Sequence, residues 1–279
     1  MSYTSILVHL DTSEAAERRL EFAFKVAHQF DAGLRALLTL VRPESGSFYV
    51  MAGAADYLMR QDRRNAERAE SLERHLKTEA SHTKVKAEWE VTRDDPNAAV
   101  PAAARLADLV IAGQPDLDDP ESLVADQFAA NLVLQAGRPV LFMPYAGVCA
   151  TVGTRVLVAW DGSREAARAI GDAMPFICRA KQTTVVAIDA LEDEPPESRL
   201  PGADIAAAIA RHGAQVGTVE IEGVHSAAIG DALLSRAADL GADLIVMGGY
   251  AHSRWREIAL GGATQTMLRT MTLPVLMSH

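Results

Sequence analysis

Short apolar runs alternate with longer segments of helical period along the whole chain. The run 5–10 is apolar with β-branched members, which is typical of a strand buried on both faces. The next segment repeats Ala15, Leu20 and Phe24 at roughly helical spacing, and Thr12 or Ser13 stands where it can cap that helix. Strands that alternate with helices predict a parallel sheet with helices on both faces.

The same alternation extends through both halves of the chain. In the first half we expect strands at 5–10, 34–41, 85–91 and 109–112 and helices at 57–80 and 97–107. In the second half we expect strands at 156–160, 184–188, 215–221, 244–247 and 274–277 and helices at 165–178, 203–213, 227–240 and 263–271.

Two parts of the chain repeat each other. Segment 107–113 (ADLVIAG) matches 242–248 (ADLIVMG) at an offset of 135, and 138–143 matches 273–278 at the same offset. The strand that starts each half also repeats, since 6–13 resembles 156–163 at an offset of 150. The repeats predict two diverged copies of one domain, 1–144 and 154–279, with the boundary in 144–153.

The segment after the run 244–247 has the features of a phosphate-binding loop. Gly248 and Gly249 follow the run, a basic and aromatic loop comes next (252–256), and Gly261 and Gly262 open the last helix. Glycines after a buried strand and at a helix start let backbone N–H groups approach an anion, which the helix dipole also favours. The pattern therefore predicts a phosphate cradle at the carboxyl edge of the sheet.

Composition narrows the functional classes. The net charge of −10 argues against a general nucleic-acid binder, which needs a basic face. The two cysteines, Cys149 and Cys178, give no metal spacing or disulfide framework and indicate a reducing compartment. We find no signal segment and no apolar stretch of the roughly 20 residues that a membrane helix needs. We therefore expect a cytoplasmic protein that binds neither nucleic acid nor membrane.

Both halves resemble the universal stress protein domain. The resemblance rests on Asp161-Gly162-Ser163 after the first strand of the second half, on the segment ADLIVMGG (242–249) and on the loop and closing strand that follow. It implies a Rossmann-like α/β fold, with a five-stranded parallel sheet in each half. It also implies a stress-response role.

The nucleotide-binding branch of that family has a phosphate loop of Gly, two residues, Gly, nine residues, then Gly followed by Ser or Thr. The second half keeps this spacing from Gly248 to Gly261, but Ala251 replaces the second glycine and Gly262 replaces the Ser or Thr. Ala251 disfavours a positive φ, whereas Gly262 keeps its N–H. Thr264 lies two residues further on and can supply a hydroxyl.

The resemblance implies that the second half binds ATP or a related adenine nucleotide, with or without Mg²⁺. Asp161 then faces the adenosine, and Ile188 flanks the base. The full set of nucleotide-binding positions that the resemblance implies is Ala159, Trp160, Asp161, Ile188, Met247, Gly248, Tyr250, Ala251, His252, Arg254, Gly261, Gly262, Ala263 and Thr264. The alternative use of the glycines is tight helix–sheet packing and a turn.

The first half lacks the phosphate loop. At the offset of 135, Asp116, Asp126 and Gln127 stand at the positions of Ala251, Gly261 and Gly262, and only Gly113 remains. The acidic run 116–121 would repel a triphosphate, so we expect no ATP in this half. The alternative is that this run binds a divalent cation.

The sequence shows no catalytic group. His9, His225 and His252 are scattered, without the spacing of a metal site. We expect His9 to be a hydrogen-bonded strand-end residue, and His252 to contact either a phosphate or solvent. Because the glycine loop has no lysine, the sequence offers no machinery for fast ATP hydrolysis.

The closing strands predict how the two halves associate. The segments 139–143 and 274–277 would each form an apolar sheet edge, and such edges pair with one another. We expect that pairing inside the chain, as a pseudo-dimer about an approximate two-fold axis, and a homodimer of whole chains is a further possibility. The charged helix 57–80 either covers the sheet or binds an unknown protein partner.

The sequence is compatible with three functions. The first is a cytosolic universal stress protein whose second half binds ATP as a regulatory ligand. The second is a stress protein that binds no nucleotide and acts by protein association, which Ala251 and Gly262 favour. The third is an enzyme of the adenine-nucleotide α-hydrolase-like type, which needs a pyrophosphate loop that segment 160–163 lacks.

Overall fold

The computed structural model describes most of the chain. It covers residues 2–40, 54–115, 128–147, 149–188, 202–221, 228–250 and 263–279, and all their side chains except those of residues 54, 55, 57 and 188.

Ten strands of the described chain form one continuous sheet. The first half supplies β1 (Ser5–Leu10), β2 (Gly33–Thr39), β3 (Ala87–Thr92), β4 (Leu109–Gly113) and β5 (Val140–Met143). The second half supplies β6 (Arg155–Trp160), β7 (Gln182–Ile188), β8 (Val216–Ile221), β9 (Leu244–Gly248) and β10 (Val275–Ser278). The strand order is β3-β2-β1-β4-β5-β10-β9-β6-β7-β8, so each half has the same order, mirrored about the centre.

Eight helices of the described chain cover the two faces of the sheet. They are α1 (Ala15–Phe30), α2 (Ala54–Thr83), α3 (Pro96–Ala104), α4 (Phe128–Gln135), α5 (Arg164–Ile177), α6 (Gly202–Ala210), α7 (Ile229–Leu240) and α8 (Ala263–Thr270). Alternate residues of β1 show the three layers. Ile6 and Val8 pack in a core with α1, α2, α5 and α6, whereas Leu7 packs in a second core with α3, α4, α7 and α8. This confirms the predicted α/β fold with a mainly parallel sheet.

The predicted pairing of the closing strands is confirmed. β5 and β10 pair antiparallel, with Leu141 opposite Leu276, while every other pairing in the sheet is parallel. Both residues are fully buried, so the apolar edge of each half is removed from water by the other half. The antiparallel junction also means that the carboxyl edges of the two halves point in opposite directions.

A second contact between the halves lies between α1 and α5. The ring of Phe30 meets those of Tyr3 and Phe176 edge to face, at centroid distances of 4.9 and 4.8 Å. The Tyr3 hydroxyl donates to the backbone carbonyl of Asp172 at 2.6 Å. Because Tyr3 and Phe30 belong to the first half and Phe176 and Asp172 to the second, one aromatic core spans both.

The two leading helices begin differently, and one predicted cap is wrong. Ser163 caps α5, since its Oγ accepts from the N–H of Ala166 at 3.1 Å. In the first half the residue at the N-cap of α1 is Glu14, with no side-chain cap bond, and the Ser13 hydroxyl donates to Asp11 instead. Asp11 is buried and must find donors, so it takes the hydroxyl away from the helix end.

Several predicted bounds also move. The helix expected at 97–107 ends at Ala104, where the N–H groups of Leu106 and Ala107 bond the carbonyls three residues back and form a turn. The long helix α2 exceeds its prediction at both ends and packs on α1 through buried Leu72 and Leu76.

Candidate functional site

The candidate site lies at the point of the second half where the strand order reverses. β6 and β9 are neighbours, with Val158 opposite Val246, yet the chain leaves β6 toward β7 and leaves β9 toward β10. A crevice forms outside the carboxyl ends of such strands, and it is the usual ligand position in open α/β sheets. We call the crevice at the ends of β6 and β9 the second-half cleft, and its counterpart at the ends of β1 and β4 the first-half cleft.

Asp161 stands at the rim of the second-half cleft. Its Oδ1 accepts from the backbone N–H of Ser163 at 3.0 Å, and its side chain is exposed. Gly162 between them has a φ of +78°, a left-handed conformation that glycine adopts without strain. The Asp-Gly-Ser motif thus builds a tight turn that holds one carboxylate at the edge of the sheet.

Gly248, at the end of β9, is required for helix packing. A β-carbon at this position would lie 2.7 Å from the backbone nitrogen of Ala166 and 2.8 Å from the backbone carbon of Glu165. The first turn of α5 therefore rests directly on the α-carbon of Gly248. Gly248 therefore has the role in helix–sheet packing that the sequence offered as the alternative to phosphate binding.

The next residue, Gly249, joins the cleft to the first half. A β-carbon there would lie 2.9 Å from Cγ1 of Val133, which belongs to α4. The N–H of Gly249 donates to the carbonyl of Ser278 at 2.9 Å, and its carbonyl lies 3.0 Å from Nδ1 of His279. The start of the loop is consequently fixed by both halves of the chain.

Tyr250 carries backbone strain at the mouth of the loop. Its φ is +55°, which is unusual for a residue with a side chain and is concentrated at functional sites in proteins. Its N–H lies 3.4 Å from Oγ1 of Thr264 in the first turn of α8. Burial raises the pKa of the Tyr250 hydroxyl to about 12, so the phenol stays neutral at physiological pH.

Glu165 is a charged group at this cleft that sequence reasoning missed. Its side chain is 3% exposed, beside Gly248, and Nε of Arg164 donates to it at 2.6 Å. Burial raises its pKa, but the bond and charge of Arg164 and the nearby charge of His279 outweigh burial and leave the pKa below its usual value. Nothing in the sequence separates Glu165 from other acidic residues in first turns of helices.

The remaining predicted positions fall into three groups. Ala159, Trp160 and Met247 are buried in the two cores, so any contact with a ligand would come from their backbone. The second group, whose side chains lie outside the described residues, consists of Ile188, Ala251, His252, Arg254, Gly261 and Gly262. Ala263 and Thr264 begin α8 and are half-buried.

The first-half cleft is filled by a side chain. Arg19 of α1 is 3% exposed, and its Nη1 donates to the carbonyl of His9 at 3.1 Å and to Oδ2 of Asp11 at 3.3 Å. Burial raises the pKa of Asp11, but the charge of Arg19, with His9 and the hydrogen bonds from Ser13, holds it below its ordinary value. The loop positions Asp116, Asp126 and Gln127 lie outside the described residues, as does His225.

His9 is a hydrogen-bonded residue near the end of β1, as predicted. Its Nε2 lies 2.9 Å from Oγ1 of Thr39, and its ring packs 4.8 Å from that of Phe128. Burial lowers its pKa to about 4, and the charge of Asp11 opposes this only in part. His9 is therefore a neutral, hydrogen-bonded core residue at physiological pH.

The part of the chain that the structure describes holds neither a cluster of metal ligands nor a membrane-spanning helix. No group of three or more His, Cys, Asp or Glu side chains there is placed to hold a metal ion. No described helix combines the length and apolar character needed to cross a membrane.

Comparison with known proteins identifies the family. The profile of the Universal stress protein family matches residues 2–144 and again residues 154–279. A universal stress protein from Archaeoglobus fulgidus DSM 4304 is 17% identical, with a TM-score of 0.71 over 98% of this chain and 95% of its own. A functionally unknown protein from Pseudomonas aeruginosa PAO1 is 18% identical, with a TM-score of 0.57 over 99% of this chain and 92% of its own.

A shorter structure matches one half. It is a universal stress protein in complex with cAMP, 18% identical over 52% of this chain and 100% of its own, with a TM-score of 0.36. No curated protein matches the sequence. Because the family profile covers both repeats, the chain belongs to the universal stress protein family and carries two of its domains in tandem.

Proposed function

We propose that the second half binds an adenine nucleotide, ATP or a close relative, as a regulatory ligand in a cytosolic stress-response protein. The ligand lies in the second-half cleft, and the first half serves as a scaffold. The observation that carries the proposal is the pairing of an exposed acceptor, Asp161, with the strained turn at Tyr250 and the Thr264 hydroxyl across the same crevice.

Each part of the cleft suits one part of a nucleotide. The Asp161 carboxylate is an acceptor for ribose hydroxyls. The Thr264 hydroxyl accepts from Tyr250 and keeps its own hydrogen for a phosphate oxygen. The first turn of α8 adds backbone N–H groups and the positive end of a helix dipole. Arg254, Gly261 and Gly262 would complete the phosphate contacts.

The chemistry at this cleft favours binding over turnover. The second half contains a single lysine, Lys181, whose N–H bonds the carbonyl of Thr154 at the start of β6, the opposite edge of the sheet. No lysine of this half can therefore clamp a phosphoryl group in the cleft. We expect slow hydrolysis at most.

A second candidate function is protein association without a nucleotide. The observation in its favour is that Gly248 is already explained by the packing of α5, and that the N–H groups of Gly249 and Tyr250 already have acceptors. In that case the glycines serve the fold alone.

Calorimetric titration with ATP and Mg²⁺ decides between the two. The full chain is first tested by acid extraction for nucleotide carried through purification. We expect one site per chain, abolished by Gly261→Glu and unchanged by Asp126→Glu, the variant at the matching position of the first half, with both variants keeping the wild-type circular dichroism. Absence of bound or titrated nucleotide would select the association function. Equal affinity in both variants would refute the position of the site.

A further inference from the structure

The buried guanidinium of Arg19 occupies the place where a ligand of the first half would lie. β1 and β4 are neighbours, with Val8 opposite Ile111. The strand that follows β1 and the strand that follows β4 are added toward opposite edges of the sheet. Arg19 reaches the ends of both strands, since it bonds the carbonyl of His9 on β1 and lies against Gly113 on β4.

The contact with Gly113 is close. A β-carbon on Gly113 would lie 2.5 Å from Cζ and 2.6 Å from Nε of Arg19, so the guanidinium covers the α-carbon of the glycine. No positive φ is involved at Gly113, and the absence of a side chain serves only to make room. The glycine and the arginine therefore form one unit.

The second half shows the same cleft without this side chain. The residue 150 positions after Arg19 is Ala169, which is fully buried on α5. The offset is right for the helices, because buried Ala16 and Ala23 coincide with buried Ala166 and Ala173. There the backbone of the helix, not a guanidinium, contacts the glycine at the end of the fourth strand.

Stability alone does not account for the arginine. A buried ion pair pays a desolvation cost that its attraction repays poorly, and well-packed hydrophobic residues in place of both partners are often no less stable. Ala169 shows that this fold accepts such a residue at the equivalent position. The presence of Arg19 is therefore better explained by the ligand that it keeps out of the first-half cleft.

We propose that Arg19 is a built-in occupant of the first-half cleft, the residue that decides that this half takes no ligand. It neutralises Asp11 and fills the space above Gly113, as a bound cation would. Removal of its guanidinium leaves a cavity with the carboxylate of Asp11 and the carbonyl of His9 on its wall. That cavity accepts a small guanidinium compound. The inference concerns the first half only and stands whether or not the second half binds a nucleotide.

Chemical rescue tests the inference. Arg19→Ala should lower the Tm by several degrees, and methylguanidinium at millimolar concentration should raise it again in a saturable manner. Neutral N-methylurea, of similar shape, should have no effect. Wild type and the matched control Arg63→Ala, whose side chain is 82% exposed, should respond to neither. An unchanged Tm in Arg19→Ala, or a lowered one that methylguanidinium does not raise, would overturn the inference.

A double-mutant cycle with Gly113→Ala provides an independent measurement. The added methyl should lower the Tm clearly when Arg19 is present and much less when the guanidinium is absent. Arg19→Val, whose side chain is too short to reach Gly113, replaces Arg19→Ala as the background should the latter give no folded protein. An equal loss in both backgrounds would show that Arg19 does not fill the space above Gly113.

Discussion

Replacement of Gly248 by alanine tests how the second-half cleft is built. The new methyl group would lie 2.7 Å from the nitrogen of Ala166, 2.8 Å from the carbonyl carbon of Glu165 and 2.9 Å from Cβ of Glu165. Two of these three atoms belong to the backbone, so no change of rotamer relieves the contact. The first turn of α5 must move away from β9.

The cost follows from the depth of this overlap. Ordinary contacts of a β-carbon begin near 3.4 Å, so the helix end has to shift by more than half an ångström. Overpacking of this kind costs about 1–3 kcal/mol in free energy of unfolding. In a chain of this size, each kcal/mol lowers the Tm by roughly 2–4 °C.

Gly171 supplies a control of opposite sign in the same helix. It lies inside α5, and a β-carbon there would meet no atom of the described residues within 4 Å. Because alanine is favoured over glycine inside a helix by roughly 0.5–1 kcal/mol, Gly171→Ala should stabilise the protein. Urea unfolding at constant m-value measures both changes, with Gly248→Ala expected to lower the midpoint and Gly171→Ala to raise it.

A wild-type midpoint in Gly248→Ala would refute the packing described for α5. Gly248 would then have to be explained by the approach of a ligand. A lowered midpoint carries a practical consequence, because loss of nucleotide binding in that variant would reflect a displaced helix and would not locate the phosphates.

Two further predictions concern the first half and its contact with the second. Tyr3→Phe removes the hydrogen bond to the carbonyl of Asp172 and should cost about 1–3 kcal/mol in unfolding free energy. Tyr145→Phe, on an exposed ring, should cost little, and equal costs would contradict a buried hydrogen bond between the halves. His9 stays neutral down to a pKa of about 4 in the folded protein, against 6.5 when unfolded, so it contributes stability that is complete above pH 6.5 and lost as the pH falls toward 4. His9→Gln removes this titrating group and should flatten the pH dependence of the urea midpoint between pH 4 and 6.5. An unchanged slope would show that other groups cause the pH dependence.

The sequence alone determined the plan of the molecule. Apolar runs near 5–10 and 244–247 predict strands because a strand buried on both faces needs no polar positions. The repeat at an offset of 135 predicts two copies of one fold, and the apolar closing strands predict that the copies join. The turn and the cap at Asp161-Gly162-Ser163 are equally local, since the left-handed glycine and the Ser163 side chain that form them lie within or beside the motif.

Contacts between distant segments were decided only by the tertiary structure. Arg19 looks in the sequence like any polar residue of an amphipathic helix, and its burial over Gly113 depends on how far α1 stands from β4, a distance that no local pattern encodes. The same holds for Glu165 beside Gly248 and for Val133 against Gly249. Residue type and spacing fix the elements, whereas the fit of helix to sheet fixes which cleft is filled, because that fit depends on all the side chains between them.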